Sequence, residues 1–136
     1  RFRIENMLGL PGENINQMLE TLDLNIKCKP EYAWFAIFQP YARLPLGEEA
    51  RKCGFWDGDI SRIKDTFFED TVLTTSIRKQ IVNAQRLFGF IVGFPFLSKF
   101  VRQLLKIPNN RFFNWIYKSY KYYCFDKNLY KTGSGK

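Results

Sequence analysis

The sequence contains no histidine. Imidazole general bases, Ser-His-Asp and Cys-His nucleophile systems and histidine metal ligands are therefore excluded from this stretch of chain. Cysteine is sparse: Cys28, Cys53 and Cys124 stand far apart, with no C-x-x-C, so neither a disulfide framework nor a zinc site is encoded. Unpaired thiols fit a reducing, cytoplasmic setting. Long apolar runs are absent too, since the longest, residues 87–97, is well short of the ~20 residues that cross a bilayer as a helix. No charged-then-apolar signal segment follows Arg1, and a start at Arg rather than Met reads as a fragment of a longer chain.

What is present is enough for one core. The 136 residues are 46% hydrophobic, 18% aromatic and 25% charged, which rules out disordered, collagen-like and low-complexity architectures. The net charge of +8 is unevenly spread: residues 1–75 hold 9 Lys/Arg against 12 Asp/Glu, whereas residues 76–136 hold 12 against 1. The basic half also carries 14 of the 24 aromatics. That pairing is compatible with nucleic acid, an anionic membrane surface or an acidic neighbouring domain.

Residues 2–8 mix apolar and polar positions and end in Gly-Leu-Pro-Gly, the pattern of a strand opening into a tight turn. From Asn14, the residues Ile15, Met18, Leu19, Leu22 and Ile26 form the stripe of an amphipathic helix, capped by Glu13 or Asn14 and stopped by Pro30. Residues 32–38 are apolar without alternation, as in a parallel strand covered on both faces. The prediction is α/β, with a β-α-β unit whose two strand ends, 9–13 and 39–43, share the carboxyl edge where α/β folds bind ligands. A short helix over 47–53 follows, then loop over 55–75. Three basic amphipathic helices are predicted after Ser76, over 76–94, 96–106 and from 109 or 110 onward, with breaks at Pro95 and Pro108. The end of the chain, 132–136, reads as a frayed tail.

The segments Met7-Leu-Gly-Leu-Pro-Gly-Glu13, Tyr32-Ala-Trp-Phe-Ala-Ile-Phe-Gln-Pro-Tyr41 and Pro45-Leu-Gly-Glu48, in that order around a helix, resemble the late barrel strands of radical S-adenosylmethionine (radical SAM) enzymes of the cobalamin-binding type. In that family a Gly-Leu-Pro-Gly-Glu segment ends the fifth strand and a Gln-Pro-Tyr-Pro-like segment the sixth. Here Ala42 stands where the subgroup more often has Pro. The resemblance implies that residues 1–54 are the last strands and helices of a partial TIM-like barrel, 55–75 a linker and 76–131 a helical C-terminal extension. It also implies a parent enzyme that cleaves S-adenosylmethionine to a 5′-deoxyadenosyl radical for methylation, cyclisation or rearrangement of its substrate. The CxxxCxxC loop that binds the 4Fe-4S cluster is missing, as are the early strands and the cobalamin domain, so this segment alone is not expected to be active. Its first partner is then the N-terminal remainder of its own chain.

By the same resemblance Gly9, Leu10, Pro11, Gly12 and Glu13, at the first strand end, and Phe38, Gln39 and Tyr41, at the second, approach S-adenosylmethionine. From the residues alone, 9–13 is an ordinary strand-to-helix turn, Glu13 a charge favouring the helix N-terminus, and Phe38 plain packing. Arg43 reads as solvated, and Asp57 and Asp59, around Gly58, as a solvated turn rather than a metal or acid/base pair. The basic aromatic helices read first as packing against the barrel. Peripheral membrane contact through 87–106 is the second reading and suits a lipid-like or other apolar small-molecule substrate. Nucleic acid is not expected, because the aromatics fall at core spacing. The alternative to an enzyme fragment is a non-catalytic basic amphipathic module that binds a membrane surface or a protein.

Overall fold

The computed structural model describes residues 2–63, 65–108 and 110–126. The expected tail over 132–136, and the end of the extension from 127 to 131, lie outside the described residues. The order is β1 (Arg3–Leu8), α1 (Ile15–Cys28), β2 (Tyr32–Ile37), α2 (Pro45–Lys52), α3 (Arg78–Gly93), α4 (Val101–Lys106) and α5 (Arg111–Lys121). Short 3₁₀ turns lie at Ile60–Arg62 and Pro95–Phe100, and a π turn at Tyr122–Asp126 follows α5. The chain is α/β, with a sheet of two parallel strands in the register Arg3 opposite Tyr32 through Leu8 opposite Ile37.

Local chemistry accounts for the first half. Asn14 accepts from the amides of Asn16 and Gln17, and the Gln17 side chain returns a bond to the Asn14 amide, so both ends of a capping box are made. Pro45 fits the first turn of α2, where a missing N–H costs nothing, so α2 starts two residues ahead of the predicted 47. The parallel pair turns Leu8, Ala33, Phe35 and Ile37 to one face, where Met18, Leu19 and Leu22 of α1 and Ile81, Ala84 and Phe88 of α3 bury them. On the same face Asn6 and Asn25 exchange side-chain amide bonds of 2.9 and 3.1 Å, joining β1 to α1.

The second half departs from a simple amphipathic pattern. Besides Ile81, Ala84, Phe88 and Ile91, the residues Val82, Asn83, Gln85, Leu87 and Gly89 are buried, so α3 is enclosed on most sides by both strands, α1, α4 and α5. Arg86 is half-buried, and burial lowers the pKa of its guanidinium. Gly89 and Gly93 make room for Tyr120 of α5, whose ring would lie 2.7 Å from a Cβ at Gly89. The single helix expected over 96–106 is two pieces: Phe94 leaves helical geometry at φ −130°, ψ 73°, and Pro95 then starts a 3₁₀ turn. Among the described residues no helix is long and apolar enough to cross a membrane.

Candidate functional site

The carboxyl ends of β1 and β2 lie side by side, and Phe38 donates its amide to the Leu8 carbonyl at 2.8 Å. From there the two segments diverge. Gly9 and Gly12 have φ of +74° and +78°, values that suit glycine, and a Cβ at Gly9 would stand 3.0 Å from Ile81. Glu13 folds back, its Oε2 accepting from the Gly9 and Leu10 amides, so the turn carries its own carboxylate. Burial pushes that carboxyl's pKa up, and the two amides pull it partly back. Leu10 packs on a second apolar cluster.

That cluster joins Phe38 to Ala50 of α2 and to Trp56, Val72 and Leu73. Residues 55–75, expected as loop, thus supply core side chains as well as irregular backbone. Phe38 is 6% exposed, with its ring inside the cluster. Gln39 is equally enclosed: its Nε2 donates to the Asp70 carbonyl at 2.7 Å, while its Oε1 is buried with no partner. Asp70 in turn takes a two-point contact from Arg78, Nε to Oδ1 at 2.9 Å and Nη2 to Oδ2 at 2.6 Å. One acidic residue therefore ties the second strand end to the start of α3. Tyr41 is 43% exposed and tilts toward Phe67, with ring centroids 6.4 Å apart.

Two further positions explain the Pro45-Leu-Gly-Glu48 segment. Arg43 is left-handed at φ +69°, and its amide donates to Glu48 Oε1 at 3.2 Å. A Cβ at Gly47 would fall 2.1 Å from the Tyr41 carbonyl oxygen, so only glycine lets the chain fold back onto the second strand end. Asp57 and Asp59 serve their own turn: Asp57 pairs with Arg62 and accepts from the Asp59 amide, and Asp59 caps the 3₁₀ turn through Ser61.

The sheet has a second, more open face. Arg3, Glu5 and Met7 of β1 project there beside Tyr32, Trp34 and Ala36 of β2, and with Phe67 and Phe68 they line a cleft of about 630 Å³. Cover expected on this side of β2 is incomplete: Tyr32 stacks on Tyr120, Trp34 meets the edge of Phe68, and Lys121 lies 5.9 Å over the indole. The alternation of charge along Arg3-Ile-Glu5 is the signal that would have found this face.

The two sheet edges differ. On the outer edge of β2, the Ile37 amide donates to the Phe67 carbonyl at 2.6 Å, Gln85 donates to the Phe35 carbonyl at 3.5 Å, and the Tyr120 hydroxyl bonds the Ala33 backbone. Among the described residues no strand pairs with the outer edge of β1. No family model, curated protein or solved structure matches the chain.

The arrangement suits binding better than proton transfer. Glu13 is engaged by its own turn, and the groups at the strand ends that a ligand could meet are a phenol and backbone. Gln39 is sealed beneath the surface, so it positions the strand end, and Tyr41 offers a ring face. Phe38 is committed to packing. The residues present do not fit an iron–sulfur cluster: Cys28 and Cys53 are exposed, Cys124 is half-buried, and no three potential ligands come together among the described residues.

Proposed function

We propose that this chain is the C-terminal part of a cobalamin-type radical SAM enzyme, contributing the two final strands of a partial TIM-like barrel and a helical extension. The observation that carries the reading is the inequality of the sheet edges. A last barrel strand needs its outer edge closed by something other than a strand, which Phe67, Gln85 and Tyr120 do for β2. The preceding strand needs an edge left for a neighbour, as β1 has among the described residues. The charged and aromatic face of Arg3, Glu5, Tyr32 and Trp34 then corresponds to the barrel interior, and α1 and α3 to its outer layer.

In this reading Tyr41 and the 9–13 turn meet S-adenosylmethionine, while buried Gln39 holds the second strand end in place through the Asp70 carbonyl and Phe38, Trp56, Val72 and Leu73 exclude water beneath. The cofactor supplies a sulfonium whose one-electron cleavage starts the chemistry. The cluster and cobalamin belong to the rest of the parent chain, which is also the first partner of this segment. An unidentified small-molecule or lipid-like substrate would enter over the open sheet face.

The reading frame upstream of Arg1 tests this directly. A CxxxCxxC loop ahead of further strand–helix units is the expected finding, followed by binding of S-adenosylmethionine to the longer protein that Gln39→Ala weakens. A start codon immediately before Arg1 would overturn the proposal.

A further inference from the structure

A groove of about 670 Å³ runs between α3 and α5, floored by Leu87, Ile91 and Ile116 and lined almost wholly by carbon. Its rim is aromatic and wet. Phe94 (46% exposed), Phe112 (61%), Trp115 (62%) and Tyr123 (66%) border it, and Phe96 (65%) adjoins Phe94 at a ring separation of 6.4 Å. Phe112 and Trp115 stack at 5.9 Å, which holds both rings outward as one plate. Exposed large rings grouped in this way mark an interaction surface.

The charge around the rim specifies the partner. From Thr71 to Phe125 the sequence has no Asp or Glu. Arg111 and Lys118, both exposed, lie four residues before and three after Trp115 and so share its flank of α5. Leu97 and Leu104 line the groove from the 3₁₀ turn and α4, and exposed Lys99 follows Phe96 by one 3₁₀ turn and shares its side. Two of these three cations are lysine, which protein–protein interfaces tend to exclude and anionic headgroups attract. Aromatic rings flanked by cations around an apolar trough are the composition of an interfacial surface.

We propose that this rim docks the protein on an anionic phospholipid bilayer, with Phe96, Phe112 and Trp115 entering the headgroup boundary and Lys99, Arg111 and Lys118 meeting lipid phosphates. The surface stands apart from the carboxyl edge of the sheet and does not depend on the proposed enzymatic role.

The test uses the 136-residue chain with phosphatidylcholine vesicles, alone or with roughly a third phosphatidylglycerol. Co-sedimentation gives affinity, and brominated lipids report ring depth through indole fluorescence. Trp115 is the most exposed of the three tryptophans, Trp56 being 4% exposed and Trp34 half-buried, so contact quenching reports it and disappears in Trp115→Phe. We expect binding to the anionic vesicles, quenching of Trp115 and release by salt. Arg111→Glu with Lys118→Glu is expected to weaken binding at least about twentyfold, since each cation near the surface is worth about fivefold. Phe96→Ser should weaken it while the thermal melt stays unchanged. Equal binding to neutral vesicles, absence of quenching, or a lipid-free dimer that hides Trp115 would each overturn the proposal. If the charge-reversal variant fails to fold, the quenching result on the unsubstituted chain decides alone.

Discussion

At the scale of single residues, the strand ends are governed by positions where a side chain cannot exist or a charge cannot relax. Gly47 is the sharper case. Its absent Cβ would overlap the Tyr41 carbonyl at 2.1 Å, and a backbone carbonyl in the turn that leads into α2 cannot swing aside as a flexible side chain would. Gly47→Ala should cost about 1–3 kcal/mol, as overpacking does. A urea midpoint indistinguishable from the parent would show that the segment relaxes freely. Glu13 makes the complementary case through pH. Burial holds its carboxyl above the ordinary value of 4.5, so the folded chain binds that proton more tightly than the unfolded one. The stability this gives is complete below the unfolded pKa and is lost as pH rises through the folded one. Glu13→Gln keeps an acceptor for the Gly9 and Leu10 amides but has no proton to lose. Urea midpoints measured from about pH 4 to pH 7 should therefore shift in the variant's favour as pH rises, and parallel curves would contradict the buried-carboxyl account.

Elements show why some of the structure was readable from the sequence and some was not. The α1 stripe, the Asn14 cap and the stop before Pro30 are local signals, so α1 follows the pattern within a residue or two. The 3₁₀ turn at Pro95–Phe100 does not, because over six residues an i, i+3 apolar pair fits three residues per turn as well as 3.6. Burial of Asn83 and Gln85 on α3 has no local signal either, since it depends on partners far along the chain. Asn83 donates to the Leu105 carbonyl at 3.1 Å and to the Ile107 carbonyl at 2.8 Å, which ties α3 to the end of α4 across more than twenty residues of sequence. Asn83→Ala leaves the buried Leu105 carbonyl and the part-buried Ile107 carbonyl without this donor, and should cost about 1–3 kcal/mol. Asn83→Asp should be worse, because it also buries a charge against two carbonyl dipoles. An alanine variant within experimental error of the parent would mean that α4 is held by its Val101 and Leu105 contacts alone.

For the whole molecule, the strongest asymmetry lies in how the sheet meets its surroundings. The strands' order and parallel pairing follow from the sequence, whereas the closure of one edge by Phe67, Gln85 and Tyr120 joins parts of the chain up to 87 residues apart, from Ala33 to Tyr120, and leaves no local trace. Gln39 and Tyr41 were legible as strand-end polar residues, but Asp70, which fixes Gln39, was not, because it lies in a stretch with no periodicity. The unequal edges have a measurable consequence. The Phe38 amide bonds Leu8 and the Glu31 amide bonds Phe2, so the ladder's alternation turns the backbone groups of Ile4, Asn6 and Leu8 toward β2 and those of Arg3, Glu5 and Met7 outward. Hydrogen exchange of the 136-residue chain should then be fast at Glu5 and Met7 and slow at Ile37, whose outward amide is bonded to Phe67. In the longer protein that the radical SAM proposal requires, a neighbouring strand occupies the β1 edge, and the Glu5 and Met7 amides become as protected as Ile37. If they are already protected in the 136-residue chain at low concentration, the edge is closed within this chain and the barrel reading loses its support. If protection grows with protein concentration, the edge pairs with a second copy instead, which is the expected fate of an open strand deprived of its neighbour.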